Sequence, residues 1–122
     1  GGFCGEEETE ATVGAYEREY GYLIDTHTAV AAQVMEQYRR ASGDKTLTVF
    51  VSTASPYKFC GPVLTAIGKT PVGSGLELLD QLHEATGVPV PQRLAALRGK
   101  PRRFDKTVEK QAMETAVLDF LK

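Results

Sequence analysis

One run constrains this chain more than any other. Thr46 to Ser52, "TLTVFVS", is the only convincing strand in it. The run is rich in β-branched residues and bounded by turn signals, Gly43-Asp44-Lys45 before it and Ser-Thr-Ala-Ser-Pro after it. In a strand, Leu47, Val49 and Val51 point one way and Thr46, Thr48 and Phe50 the other. Phe50 on the second face implies that this side is covered as well, as in a sheet sandwiched by helices. Around the run the sequence reads as about six helical pieces. A lone strand cannot satisfy its own backbone donors and acceptors. It must pair with the short region around Leu23, with another chain, or with a part of the same protein outside this sequence. The expected fold class is therefore α/β and helix-rich: a partial three-layer αβα fragment with about six helical pieces and one or two short strands. Residues 1–70 form its sheet-associated part and 71–122 a helical tail, within a single domain or fragment.

The helical reading rests on periodicity and on end signals. Thr9, Val13, Tyr16 and Tyr20 share a face over Glu6 to Tyr20. Glu6, Glu7, Glu8 and Glu10 sit where the helix dipole favours negative charge, and Gly21 is placed to terminate. Asp25 or Thr26 caps a second helix through about Ala41, with Val30, Val34, Tyr38 and Ala41 as its inward stripe. After Pro56 a short turn precedes a helix that restarts with Pro62 in an early position and Phe59, Val63 and Ile67 on one side. Ser74 with Glu77 is a capping-box pair for a helix through Thr86, with a stripe of Leu76, Leu79 and Leu82 and a stop at Gly87. Pro91 opens a short helix containing Leu94 and Leu97. Asp105 is placed to cap a last helix through about Leu121, apolar along Val108, Ala112, Met113, Ala116, Val117 and Phe120.

Composition enters as a set of exclusions. At 122 residues there is room for one domain and not comfortably for two. Hydrophobic content of 42% with 25% charged residues is the balance of a folded soluble domain. A net charge of -2 argues against a general nucleic-acid binder. No apolar run approaches the roughly 20 residues of a membrane span, and no secretory signal is visible, so a cytoplasmic protein with no membrane partner is expected. Cys4 and Cys60 stand far apart and form no C-x-x-C pattern, which reads as two reduced thiols and no metal site.

The chemistry-bearing candidates cluster at the end of the strand run, in "VFVSTASPYKF". Two readings of Ser52-Thr53-Ala54-Ser55 stay open. Ser55 can simply cap a helix begun by Pro56. Alternatively the hydroxyls form a site at the carboxyl end of a strand, where open α/β sheets bind ligands. Lys58 is either solvated or close to a ligand or carboxylate. His27, in "DTHTAV", is either a structural residue near a helix start or a general base or anion contact. Asp25 most simply caps that helix. His83 reads as structural, and Arg98, Lys100, Arg102 and Arg103 as a solvated basic loop. No nucleophile–base–acid set or carboxylate pair can be placed.

Two of these segments are familiar together. "GYLIDTHTAV" followed by "VFVSTASPYKF" resembles the carboxyl-terminal part of threonine synthase, whose members carry a glycine-tyrosine entry, an Asp-Pro-His-Thr-Ala stretch and a Thr-Ala-His-Pro-x-Lys-Phe stretch. "EEET" before the first helix and "AIG" at Ala66 to Gly68 fit the same pattern, and the likeness extends weakly to "VPVP". Thr26 departs from it where the family has proline, and Ser55 where it has histidine, which puts that histidine's contribution to substrate handling in doubt.

The resemblance implies a pyridoxal-phosphate enzyme of the tryptophan-synthase-β type, converting O-phosphohomoserine and water to threonine and phosphate. It implies that Thr53, and in second place Ser52, faces the pyridine nitrogen of the cofactor, and that His27, Lys58 and Ser55 lie near the substrate cleft. The family's cofactor-bonding lysine and glycine-rich phosphate cradle lie upstream of the part resembled. The chain by itself is therefore expected to hold no covalent cofactor and to turn nothing over. The rival expectation is a freestanding small α/β binding or oligomerisation module, self-associating through an exposed strand edge.

Overall fold

Local end signals set most of the helix boundaries. In a computed structural model that describes residues 1–121, α1 spans Glu6–Tyr20 and stops at Gly21, whose φ of 60 is left-handed. The Gly5 N–H donates to the Glu8 carboxylate at 3.0 Å, satisfying one orphan donor at the start. The second helix, α2, spans Thr26–Ser42, capped by Asp25 and ended by Gly43. A 3₁₀ turn at Pro56–Lys58 leads into α3, Cys60–Ala66, with Pro62 in its first turn, where the missing N–H costs nothing. The fourth helix, α4, spans Glu77–Thr86 and ends at Gly87. It starts later than a full capping box at Ser74 requires, because only half the box forms: the Ser74 N–H donates to Glu77 Oε2 at 3.1 Å. A single turn, α5 (Gln92–Ala95), follows Pro91, and α6, Met113–Phe120, closes the chain behind a second 3₁₀ turn.

The expected αβα architecture with one or two strands is not formed. The described residues contain no strand and no sheet. Residues 46–52 keep the alternation of an extended chain, but only one of the two faces expected to be covered is so. Leu47, Val49 and Val51 are 90%, 80% or more exposed to solvent (81% and 80% for the valines), while Thr48 and Phe50 are half-buried. The reason is pairing. A strand exists through ladder bonds to a neighbour, and neither Leu23 nor any other described segment makes backbone hydrogen bonds with this one. Side chains hold it instead: Arg39 donates to the Thr46 carbonyl at 3.0 Å and to Thr48 Oγ1 at 3.2 Å.

The packed core joins α1, the 3₁₀ turn at Tyr57, α3 and α4, with Val13, Val63, Leu64 and Leu82 fully enclosed. Burying each of these contributes about 1.5–3 kcal/mol. Small residues let α1 approach its neighbours. Gly14 is buried where a Cβ would collide with the Ala66 carbonyl oxygen, so α1 and α3 touch backbone to backbone. On α2 the enclosed residues are Thr28, Ala29 and Ala32, not the anticipated stripe. Val34, Tyr38 and Ala41 instead line a cavity of ≈ 660 Å³ shared with Thr48 and Phe50, and Val30 is on the surface. Close helix contact selects the small face over the bulky one.

At the carboxyl end, the helix expected from Asp105 begins only at Met113. Its apolar side is largely solvent-exposed, with Phe120 at 76%. Short helices are marginal without tertiary packing, so residues 105–109 stay irregular and 110–112 form only a 3₁₀ turn. No described helix is long and apolar enough to cross a membrane.

Candidate functional site

The site is organised by one carboxylate. Asp25 is fully buried at the start of α2. Its Oδ1 accepts the backbone N–H groups of His27 at 2.9 Å and Thr28 at 3.4 Å, which makes it the helix cap that the sequence suggested. Its Oδ2 does something no local pattern announces. It accepts a short hydrogen bond from the Thr28 hydroxyl and one from Ser52 Oγ at 3.2 Å, from a residue 27 positions further along the chain. Thr28 Oγ1 and Ser52 Oγ lie 3.0 Å apart, closing a triangle of oxygens. Ser52 Oγ also lies 3.2 Å from the Ala54 carbonyl. Burial pushes the Asp25 carboxyl up, but hydrogen bonds from the Thr28 hydroxyl, the His27 and Thr28 N–H groups and Ser52 outweigh it and hold it below the ordinary carboxylate value.

His27 sits on the outer side of this cluster. Its Nδ1 is 3.4 Å from Asp25 Oδ1, and its side chain is 69% exposed. Its ring lies 5.1 Å from that of Phe59, tilted by 46°. Lys58 approaches the same Phe59 ring, with Nζ 5.8 Å from the centroid, and is exposed. Phe59 thus has a histidine and a lysine as neighbours. Beside them a cavity of ≈ 380 Å³ is lined by Lys58, Phe59, Pro62 and Gly75 among others.

Of the candidates from the sequence, Lys100, Arg102 and Arg103 are exposed, as read. Ser52 joins the Asp25 cluster, and Thr53 follows it with an exposed side chain. Ser55 is the cap of the 3₁₀ turn, its Oγ accepting the Tyr57 N–H at 3.3 Å, which is the plainer of its two readings. His27 and Lys58 meet at Phe59. His83 places Nδ1 2.8 Å from the Val88 carbonyl, a structural contact. Arg98 grips Asp80 in a two-bond fork, with NH1 2.7 Å from Oδ2. Cys60 is buried and donates to the Tyr57 carbonyl at 3.2 Å, and burial pushes its thiol up. No group of three His, Cys, Asp or Glu able to hold a metal occurs among the described residues. Sequence reading missed the second use of Asp25. The available signal was the hydroxyl density of "DTHT" and "STAS", which does not say which hydroxyl meets which carboxylate.

The two motif segments therefore meet in one cluster, and comparison with known proteins places the chain in a family. A family model described as "Threonine synthase, C-terminal" matches residues 28–117. The chain belongs to the threonine synthase C-terminal family. The match covers most of the chain and includes Thr28, Ser52, Thr53, Ser55 and Lys58, with Asp25 and His27 immediately before it. A search of curated proteins finds no match. As a threonine synthase C-terminal domain, the chain has a lyase of threonine biosynthesis as its parent class.

Proposed function

We propose that this chain is the carboxyl-terminal part of a pyridoxal-phosphate-dependent threonine synthase, the enzyme that converts O-phosphohomoserine and water to threonine and phosphate. The observation that carries this reading is the Asp25–Ser52 bond. It joins both threonine synthase motifs in one cluster and leaves Thr53, the next residue, exposed.

The residues present fit one end of the cofactor. A neutral hydroxyl turned outward fits a pyridine nitrogen, because unlike a carboxylate it does not force the ring nitrogen to stay protonated. Thr53 supplies one, whereas the Ser52 hydroxyl is engaged with Asp25 and Thr28. Pyridoxal phosphate, when bound, supplies the electron sink that loss of phosphate from the substrate requires. This chain's part is to orient the cofactor ring through Thr53 and to offer positive charge to a phosphorylated substrate. Lys58 is the group for that second task, and His27, beside the same Phe59 ring, offers a hydrogen-bonding imidazole. Ser55, occupied as a cap, is left a minor place at the cleft edge. The chain on its own is non-catalytic in this reading.

The test is phosphate release from O-phosphohomoserine by the full-length protein that carries this chain. Thr53→Val should lower kcat/KM about 10- to 100-fold, the equivalent of one hydrogen bond to a ring that changes charge. Circular dichroism should be unchanged, because Thr53 is exposed. Full activity in Thr53→Val would remove the reading. A second reading, a freestanding binding or oligomerisation module, is favoured by one observation: the solvent-facing row Leu47, Val49 and Val51.

A further inference from the structure

We propose that Asp25 is a positioning residue, whose buried carboxylate sets Ser52–Thr53 and His27 at a fixed distance from each other. The inference rests on the reading of Thr53 and His27 given under Proposed function and adds the device that holds them in register. The two oxygens of Asp25 have separate duties. Oδ1 takes the His27 N–H at 2.9 Å and lies 3.4 Å from its Nδ1, which fixes where the histidine leaves α2. Oδ2 takes the Thr28 and Ser52 hydroxyls. One rigid carboxylate therefore indexes both halves of the site.

Three features argue that this exceeds helix capping. A cap needs only the N–H contacts, and an exposed side chain provides them well, yet Asp25 is fully buried. Burying a carboxylate is costly unless hydrogen bonds compensate, and here every compensating bond beyond the cap goes to a hydroxyl, one of them from the candidate site segment. Finally, residues 46–54 make no backbone–backbone hydrogen bond among the described residues. Side-chain anchors alone fix this segment, and Ser52 is the anchor directly before Thr53. Without it, Thr53 would move with a loop rather than with the helical core.

The experiment needs no cofactor, so its failure is separable from failure of the Thr53 reading. Backbone order parameters would be followed by ¹⁵N NMR relaxation in the chain itself for wild type, Ser52→Ala, Asp25→Asn and the double variant. Ser52→Ala leaves the cap of α2 intact. It should lower the order parameters of Thr53 and Ala54 from those of rigid backbone to below about 0.6, the range of a flexible loop. The α2 residues beyond its first turn should be unchanged. Asp25→Asn retains an oxygen for the N–H groups but replaces the Oδ2 acceptor, so it should mobilise Thr53 and Ala54 while α2 persists. The double variant should be no more mobile there than the single ones, because both break the same link. Ser52→Thr, which restores the hydroxyl, should return the order parameters toward wild type. The proposal falls if Ser52→Ala leaves Thr53 and Ala54 unchanged. It falls equally if the two substitutions add independently, or if the effect of Ser52→Ala spreads evenly over α2.

Discussion

Asp25 shows how much a single side chain can hide in a sequence. As "D-T-H-T" before an amphipathic stretch it announces a cap, and the cap is there. Nothing in four residues announces that its second oxygen will meet Ser52. The folded-state carboxyl lies below its ordinary value because hydrogen bonds to the ionised form outweigh burial. Its contribution to stability is therefore complete above the unfolded value of about 3.9 and is lost as pH falls from there through the lower folded value. In urea titrations between neutral pH and pH 2, wild type should lose stability over this acid range more steeply than Asp25→Asn, which has no carboxyl to protonate. Parallel acid limbs would contradict the assignment. Gly14 is the other residue whose role was invisible: only the approach of Ala66 explains why α1 carries a glycine at its centre.

At the scale of elements, local and non-local reasoning part company. Ends of helices were legible because caps and left-handed glycines act within one turn. Gly21, Gly43 and Gly87 all terminate where the sequence placed them, with φ of 60, 71 and 69. Residues 46–52 were legible as extended and illegible as to outcome, since β-propensity describes a surface that fits a sheet and no sheet is supplied among the described residues. Of the two faces expected to be covered only one is, because α2 offers a cavity to Thr48 and Phe50, while Leu47, Val49 and Val51 face solvent. Two substitutions one position apart separate these faces. Val49→Thr, at an exposed position, should change unfolding free energy by no more than about 0.5 kcal/mol. Phe50→Ala should cost roughly 1–2 kcal/mol, below the 3–5 kcal/mol of a fully enclosed phenylalanine. Equal effects in chemical denaturation would mean that the alternation is not structural.

For the molecule as a whole, the unequal distribution of packing is the main fact. Helices α1 to α4 share an enclosed core, whereas α6 and the row Leu47, Val49 and Val51 present apolar surface to water. Such a surface in a free chain promotes association. Light scattering over a concentration series should show self-association of the isolated chain, and Val49→Lys should suppress it. A monomer at every concentration would leave the freestanding oligomerisation reading without support. The sequence by itself determined what depends on neighbours within a turn: the glycine stops, the caps at Asp25 and Ser55, and the residues that resemble a threonine synthase C-terminal domain. Tertiary structure alone decided which face of α2 is enclosed, that Thr46 to Ser52 is not a strand, and that Asp25 reaches Ser52. Each of those outcomes depends on a partner distant along the chain, or absent from it, and periodicity carries no information about which partner arrives.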